Sequence, residues 1–259
     1  MAIEAVLLDL DGVLYVEDEP VPGARQAVDA LRSRGLSLRF VTNTTSRPRR
    51  RILERLARLG FDVGADELVT PAALAVRICR DRGLRRVALV MNQDVKEDFA
   101  ALEEAASGVE AVIVGDLGAD FGYEVLNRAF RELIDGAALI ALQKNRFWMT
   151  PDGLALDVGP FVAALEYATR QEAVVVGKPA RPFFATILDA AGVAPAAAVM
   201  VGDDVESDIG GALGAGLAGV LVRTGKFRED ALAASGVTPT AVVDSIADVP
   251  DLVSALSRG

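Results

Sequence analysis

The sequence has no histidine and only one cysteine among its 259 residues. Without histidine, the chain cannot use Ser–His–Asp or Cys–His catalysis, a histidine-ligated metal or a phosphohistidine intermediate. A single cysteine, Cys79, can form neither an intrachain disulfide nor a cysteine-based zinc site, and its helical setting favours a packed core thiol. A catalytic site in this chain must therefore be built from carboxylates, lysine, hydroxyl groups and a bound metal.

Long hydrophobic runs and excess positive charge are missing as well. The longest apolar runs, such as residues 137–142, fall far short of the roughly 20 residues that a membrane-spanning helix needs. Near its start the chain has an acidic residue, Glu4, where a secretory signal carries a basic one. Its net charge of −10 disfavours contact with nucleic acid. We therefore expect a cytoplasmic protein with no membrane and no nucleic-acid partner.

The residues that are present form an α/β pattern. Apolar, strand-like runs alternate with helical segments over residues 5–70 and again over 173–222, which predicts a Rossmann-like, doubly wound parallel sheet. A second α/β pattern lies between these two blocks. We therefore predict a catalytic core of residues 1–81 and 172–259 with an inserted smaller α/β cap domain, residues 82–171. The strand at 173–176 is assigned to the core, and the segment 144–153 to a loop of the cap.

Polar side chains follow four of the predicted strands. Ligands of open α/β sheets bind outside the carboxyl ends of the strands, so these side chains are expected to converge on one crevice. Two of the acids stand two residues apart after the first strand, which places them on one face. In chain order the residues are Asp9 and Asp11, Thr42 and Asn43, Lys178, and finally Asp203, Asp204 and Asp208.

Each of these motifs also has an ordinary structural interpretation. Asp11 suits a turn, Thr42 and Asn43 suit a helix cap, Lys178 suits a solvated strand end, and a run of acids suits the start of a helix. If the motifs converge, the ordinary interpretations of the acids become less favourable, because two carboxylates about 4 Å apart repel by about 4 kcal/mol at an effective dielectric of about 20. A divalent cation with oxygen ligands removes that cost. The pattern therefore predicts Mg²⁺ beside the acids, with Lys178 as a further positive charge.

The motifs DLDGV, VTN, GKP and GDDVESD, in this order, resemble those of the haloacid dehalogenase superfamily. The position of the insert resembles the class IIA branch, which has a large α/β cap. The resemblance implies a Mg²⁺-dependent phosphatase of small phosphorylated metabolites that works through an aspartyl phosphate. It makes Asp9 the nucleophile, Asp11 the general acid/base and Lys178 a charge clamp. Thr42 and Asn43 become ligands of the substrate phosphate.

The resemblance also implies how the metal is held. Asp9, the backbone carbonyl of Asp11 and Asp203 would be its ligands, and Asp208 would orient a metal-bound water. Members that look similar in their other motifs carry serine where this chain has Asp11. Serine cannot act as a carboxylate acid/base, so this chain is better equipped for ester hydrolysis, and the substrate preferences of those members do not carry over.

The segment KNRFWMTPDG carries the only tryptophan, Trp148. In the family an equivalent cap loop selects the leaving group, which makes Trp148 a candidate substrate-binding residue. Packing within the cap and a dimer interface are the alternatives, and a homodimer through the cap is among the expectations.

Other functions use the same residues differently. A phosphotransferase or mutase would pass the aspartyl phosphate to another hydroxyl group instead of water. A phosphate-sensing module without turnover is a non-enzymatic alternative. Dehalogenation needs no Mg²⁺, and the pair of Asp11 and Asp203 argues against it.

Overall fold

The computed structural model describes residues 2–150 and 152–257. Its strands are β1 (Ala5–Asp9), β2 (Tyr15–Val16), β3 (Glu19–Pro20), β4 (Ser37–Val41), β5 (Leu68–Val69), β6 (Arg86–Val90), β7 (Glu103–Glu104), β8 (Ala111–Val114), β9 (Ala138–Ala141), β10 (Phe147–Thr150), β11 (Gly153–Leu156), β12 (Val174–Val175), β13 (Ala198–Gly202), β14 (Ala218–Val222) and β15 (Ala241–Val243).

The α-helices are α1 (Ala24–Ser33), α2 (Arg49–Arg58), α3 (Pro71–Asp81), α4 (Tyr123–Ile134), α5 (Val158–Thr169), α6 (Arg181–Ala191), α7 (Gly211–Gly214), α8 (Glu229–Ser235) and α9 (Val249–Leu256). Short 3₁₀ helices occupy Gln93–Phe99, Gly118–Asp120, Pro195–Ala197 and Ile246–Asp248, and a π-helical turn spans Val205–Gly210. Within the described part of the chain, every helix is too short or too polar to cross a membrane.

The chain divides into two compact units. The core unit contains the residues up to Thr42, Leu53–Val69 and the residues from Lys178 onward, and the insert unit contains Asn43–Ile52 and Thr70–Gly177. The insert unit thus begins earlier and ends later than the predicted boundaries of 82 and 171.

Local contacts account for the wider insert unit. Helix α3 packs against the 3₁₀ helix Gln93–Phe99. The backbone N–H of Arg49 donates a hydrogen bond to an Asp98 carboxylate oxygen at 3.0 Å. Both contacts join residues outside the predicted range of 82–171 to residues within it.

The core unit is built on a six-stranded parallel sheet with the strand order β15-β14-β13-β1-β4-β5. Strands β1 and β13 lie at its centre and are buried along their whole length. Their continuous apolar sequences suit strands that are covered on both faces. In the register, Ala5 pairs with Ala198 on one side and with Ser37 on the other. The predicted Rossmann-like α/β class is confirmed.

The strand order explains how distant parts of the sequence meet. Strand β1 pairs with β4, which follows it closely along the chain, and with β13, which comes much later. The chain reverses its direction across the sheet at this point, and such switch points form ligand crevices at the carboxyl ends of parallel strands. The polar residues that follow β1, β13 and β14 therefore lie at one edge of the sheet.

The insert unit has its own parallel sheet, with the strand order β12-β9-β8-β6-β7. Helices α4 and α5 pack against each other and contribute to its hydrophobic core. The rings of Phe121 and Phe161 stack there with their centroids 3.8 Å apart. Fully buried members of this core include Val112, Val114 and Val162.

The strand predicted at 173–176 was assigned to the wrong sheet. Strand β12 pairs with β9 in the insert unit, and the backbone N–H of Val176 still donates to the carbonyl of Ala141 at 2.9 Å. A short apolar run looks the same in either sheet, so its composition did not distinguish them.

The predicted loop at 144–153 is also wrong, because strands β10 and β11 form an antiparallel hairpin. Asp152 precedes the second strand and Gly153 begins it, and a turn pair between two alternating runs is a hairpin signal. On this hairpin Trp148 pairs with Ala155, and its side chain is 55% exposed.

Candidate active site

Four charged side chains are buried together in the core unit. Asp9 is the last residue of β1, Asp203 and Asp208 follow β13, and Lys178 lies shortly before α6. Their exposed fractions are only 7%, 2%, 1% and 4%, respectively. The three acids each offer a carboxylate oxygen, and these oxygens lie within 4.8 Å of one another. The sequence predicted all four residues, and the structure brings them together.

Lys178 bridges two of these carboxylates. Its Nζ lies 2.6 Å from Asp9 Oδ1 and 2.6 Å from Asp208 Oδ1. Burial disfavours the charged ammonium, but the carboxylates of Asp208 and Asp9 outweigh this effect and raise the pKa of Lys178 above its ordinary range. Lys178 is therefore a permanent positive charge at neutral pH.

Asp208 is held from two sides. While its Oδ1 faces Lys178, its Oδ2 accepts a hydrogen bond from the backbone N–H of Asp204 at 3.2 Å. Its side chain packs so closely on Gly202 that a Cβ there would lie 2.2 Å from Asp208 Oδ2. Burial raises the pKa of Asp208, and Lys178 offsets part of that rise.

A π-helical turn spans Val205–Gly210 before α7, so Asp208 lies inside a turn that is often found at functional sites. Asp204 precedes this turn and caps it, because its carboxylate accepts hydrogen bonds from the N–H groups of Glu206 and Ser207 at 3.1 and 2.9 Å. The Asp204 carboxylate therefore caps backbone N–H groups, whereas the Asp208 carboxylate faces Lys178.

Asp203 has one engaged oxygen and one open oxygen. Its Oδ2 accepts a hydrogen bond from the backbone N–H of Lys226 at 2.7 Å. Its Oδ1 is buried and has no hydrogen-bond partner among the described residues. Burial, together with the charge of Asp9, raises the pKa of Asp203 to about 7.

These features fit a hard divalent cation. Leaving a buried acceptor unsatisfied costs about 1–3 kcal/mol, and a cation beside Asp203 Oδ1 would remove that cost. Hard cations such as Mg²⁺ prefer carboxylate oxygens, which Asp9, Asp203 and Asp208 supply.

Asp11 stands apart from the buried acids. It follows Asp9 by two residues but is exposed, and it forms a bridge with Tyr15 just after the strand. The turn depends on Gly12, whose φ of +82° is a left-handed value that other residues adopt only with strain. Asp9 is therefore buried, whereas Asp11 is exposed.

The remaining predicted residues are divided between the units. Thr42 follows β4 in the core unit, is 5% exposed, and its N–H donates to the carbonyl of Val69 at 3.3 Å. Asn43 begins a segment of the insert unit, where its side chain lies beside Gly177. Trp148, on β10, also belongs to the insert unit.

The sequence patterns did not identify a fifth strand end that contributes residues to this site. Thr224, Gly225 and Lys226 follow β14, which is the neighbour of β13 in the sheet. The hydroxyl of Thr224 donates a hydrogen bond to the carbonyl of Gly12. Polar residues directly after the apolar run at 218–222 were the available signal, because the same rule located Asp203 after β13.

Comparisons with known proteins agree with this geometry. A family model described as haloacid dehalogenase-like hydrolase matches residues 6–103, and a second, HAD-hydrolase-like model matches residues 175–249. Haloacid dehalogenase-like hydrolase domain-containing protein 2 from Bos taurus is 46% identical over 88% of this chain and 86% of that protein. The chain belongs to the haloacid dehalogenase-like hydrolases. The resemblance inferred from the four motifs is confirmed.

Two further similar proteins are phosphatases by name. Phospholysine phosphohistidine inorganic pyrophosphate phosphatase from Xenopus laevis is 40% identical, over 98% of this chain and 95% of that protein. The crystal structure of a glycerol phosphate phosphatase from Mycobacterium tuberculosis, in complex with magnesium, is 29% identical and superposes with a TM-score of 0.80. The alignment covers 94% of this chain and 75% of that one. The prediction that this haloacid dehalogenase-like chain is an enzyme is confirmed.

Substituting alanine for Gly12 should destabilise this hydrolase strongly. A Cβ at Gly12 would lie 1.9 Å from Asp203 Oδ2, whereas one at Gly35, with a similar φ of +76°, would meet no atom within 4 Å. Gly35→Ala should cost only the strain of a positive φ, about 1–2 kcal/mol. Gly12→Ala should lower the free energy of unfolding by clearly more, because Asp203 must move. Urea unfolding measures both variants, and equal losses would show that Asp203 relaxes freely.

The pKa of Asp203 predicts a pH dependence for the metal-free enzyme. Its value of about 7 lies above the ordinary 3.8, so at pH values between the two the folded state binds the extra proton. The free energy of unfolding should then fall as the pH rises from about 5 to 7, by up to about 1.4 kcal/mol per pH unit.

Urea unfolding in the presence of a chelator, repeated across this pH range, measures the effect. Asp203→Asn should make the dependence shallower. An unchanged slope in that variant would assign the pH dependence to other groups.

Proposed function

We propose that this enzyme is a Mg²⁺-dependent phosphatase that hydrolyses a small phosphorylated metabolite through an aspartyl phosphate on Asp9. The observation that carries the proposal is the Asp9 carboxylate, buried beside Lys178 at 2.6 Å and clustered with Asp203 and Asp208. This arrangement supplies a nucleophile and a positive charge for the phosphoryl group that it attacks. The two similar phosphatases support the same reaction class.

Asp9 performs the first step. One of its carboxylate oxygens bonds to phosphorus while the bond between phosphorus and the leaving-group oxygen breaks. Asp11, exposed two residues later, donates its proton to that departing oxygen. Lys178 stays protonated and offsets the negative charge that collects around Asp9.

Asp11 also starts the second step. As a carboxylate, it accepts a proton from a water molecule, whose oxygen bonds to phosphorus. The bond between phosphorus and the Asp9 oxygen breaks, which releases inorganic phosphate and regenerates the Asp9 carboxylate. Asp11 ends the cycle protonated, as it began.

The metal would be held by Asp9, the backbone carbonyl of Asp11 and the open Oδ1 of Asp203. When bound, Mg²⁺ neutralises negative charge on the phosphoryl oxygens as a Lewis acid. Asp208 holds Lys178 by an ion pair of 2.6 Å, and we assign to it the orientation of a metal-bound water as well.

Substrate recognition is assigned to groups outside this buried cluster. Thr42 and Asn43 would donate hydrogen bonds to the phosphate oxygens. Trp148 would contact the leaving group, since an indole that is 55% exposed offers a large apolar surface to a ligand.

Substitution of the two aspartates tests the covalent route. Asp9→Asn should abolish phosphate release because an amide is not a nucleophile, while the fold is retained. Asp11→Asn should lower kcat by about 10²–10⁴-fold, the usual contribution of an acid/base group. A panel of phosphorylated metabolites with Mg²⁺, read as released phosphate, measures both.

The matched control is Asp29→Asn, which changes an exposed aspartate on α1 of the core unit. It should behave as the wild type does. Comparable turnover in Asp9→Asn would exclude the aspartyl phosphate.

Metal removal tests the cofactor. EDTA should eliminate phosphate release and Mg²⁺ should restore it, because the buried carboxylates need a divalent cation to admit an anionic substrate. Ca²⁺ should inhibit, since it favours a larger and looser ligand shell than Mg²⁺. Full activity in EDTA would contradict metal dependence.

A further inference from the structure

The loop after β14 contacts two parts of the active site at once. Strand β14 pairs with β13, and β13 pairs with β1, so the residues after β14 lie at the same edge of the sheet as Asp9 and Asp203. The relevant residues are Thr224, Gly225 and Lys226, here called the β14 loop. None of them was a predicted site residue.

The first contact of the β14 loop is with Asp203. The backbone N–H of Lys226 donates to Asp203 Oδ2 at 2.7 Å. A Cβ on Gly225 would lie 2.1 Å from the same oxygen and 2.4 Å from the Cα of Gly12. The carboxylate is thus enclosed between Gly12 and Gly225, and this hydrogen bond leaves Oδ1 as the oxygen available to a cation.

The second contact is with the turn that follows Asp11. The Thr224 hydroxyl, half-buried, donates to the carbonyl of Gly12. Gly12 directly follows the residue whose carbonyl we assigned to the metal. A single short loop therefore holds Asp203 through Lys226 and the Asp11–Gly12 turn through Thr224.

We infer that Thr224 and the backbone N–H of Lys226 are positioning groups that set the spacing of the metal ligands. This inference rests on the proposed function, because it takes Mg²⁺ as the cation. Mg²⁺ demands near-ideal octahedral geometry, with ligand distances of about 2.0–2.1 Å, so small displacements of a ligand weaken binding. Contacts that orient metal ligands typically account for about 10- to 100-fold in affinity.

The side chain of Lys226 is a separate group from its backbone N–H, and it is exposed. The backbone N–H, in contrast, orients Asp203 without competing for its Oδ1.

Thr224→Val tests the inference, because valine keeps the shape of threonine and removes the donor to Gly12. Calorimetric titration of chelator-treated protein with Mg²⁺, without substrate, should show binding weakened by about tenfold or more. Thr224→Ser keeps the hydroxyl and should restore the wild-type affinity. Wild-type Mg²⁺ affinity in Thr224→Val would overturn the inference.

Thr240→Val is the matched control. The Thr240 hydroxyl accepts a hydrogen bond from the backbone N–H of Gly219 at 3.0 Å, at the opposite end of β14. Both valine variants should lose similar thermal stability when metal-free, but only Thr224→Val should lose Mg²⁺ affinity. Equal loss of Mg²⁺ affinity in both would reduce Thr224 to a structural role and overturn the inference.

Lys226→Met distinguishes the contribution of the Lys226 side chain from that of its backbone N–H. It keeps the N–H and removes only the exposed ammonium, so Mg²⁺ should bind at least as tightly as in the wild type. Weaker binding would show that the ammonium holds Asp203, against the assignment to the N–H.

Measurements on the wild-type protein distinguish failure of the positioning role from failure of the proposed function. If it binds Mg²⁺ and releases phosphate while Thr224→Val binds Mg²⁺ equally well, only the positioning role fails. If the wild type neither binds Mg²⁺ nor releases phosphate from any substrate, the proposed function fails and the positioning role fails with it.

Discussion

The ion pairs of Lys178 with Asp9 and Asp208 are the interaction on which the site depends. Three carboxylates with oxygens within 4.8 Å of one another would repel strongly inside a protein. One buried ammonium reduces that repulsion but does not balance it, because two negative charges remain when all three acids are ionised. Burial, together with this excess of negative charge, raises the pKa of Asp203. A single divalent cation carries the charge that would balance the cluster.

The parallel sheet brings these charged groups together in a crevice at one of its edges. Strands β14, β13 and β1 are neighbours and run in the same direction, so the loops after them meet at one edge. Each loop supplies a different kind of group: a nucleophilic carboxylate after β1, a second carboxylate after β13, and backbone and hydroxyl donors after β14. Close packing between these loops requires glycine at positions 12 and 225, where a Cβ would collide with Asp203.

Sequence patterns indicated the four buried charged residues, because each stands at or after the end of an apolar strand. They missed Thr224 and Lys226, since a backbone N–H has no compositional signature and one hydroxyl is common in any loop. The α/β class followed from the alternation of strands and helices. The sequence did not show which of the two sheets contains residues 173–176. Long-range hydrogen bonds determine the partners of a strand, and local periodicity does not encode them.

The position of β1 also affects how the chain is made. Ala5 pairs with Ser37, which is synthesised soon afterwards, but also with Ala198. At typical synthesis rates, the second partner emerges on the order of ten seconds after the first. Until then one edge of β1, which is apolar except for Asp9, has no partner and is open to pairing with other nascent chains. During this interval Lys178 has not yet been synthesised, so Asp9 lacks its ion-pair partner. A ribosome that stalls within the insert therefore leaves an aggregation-prone fragment without a functional site.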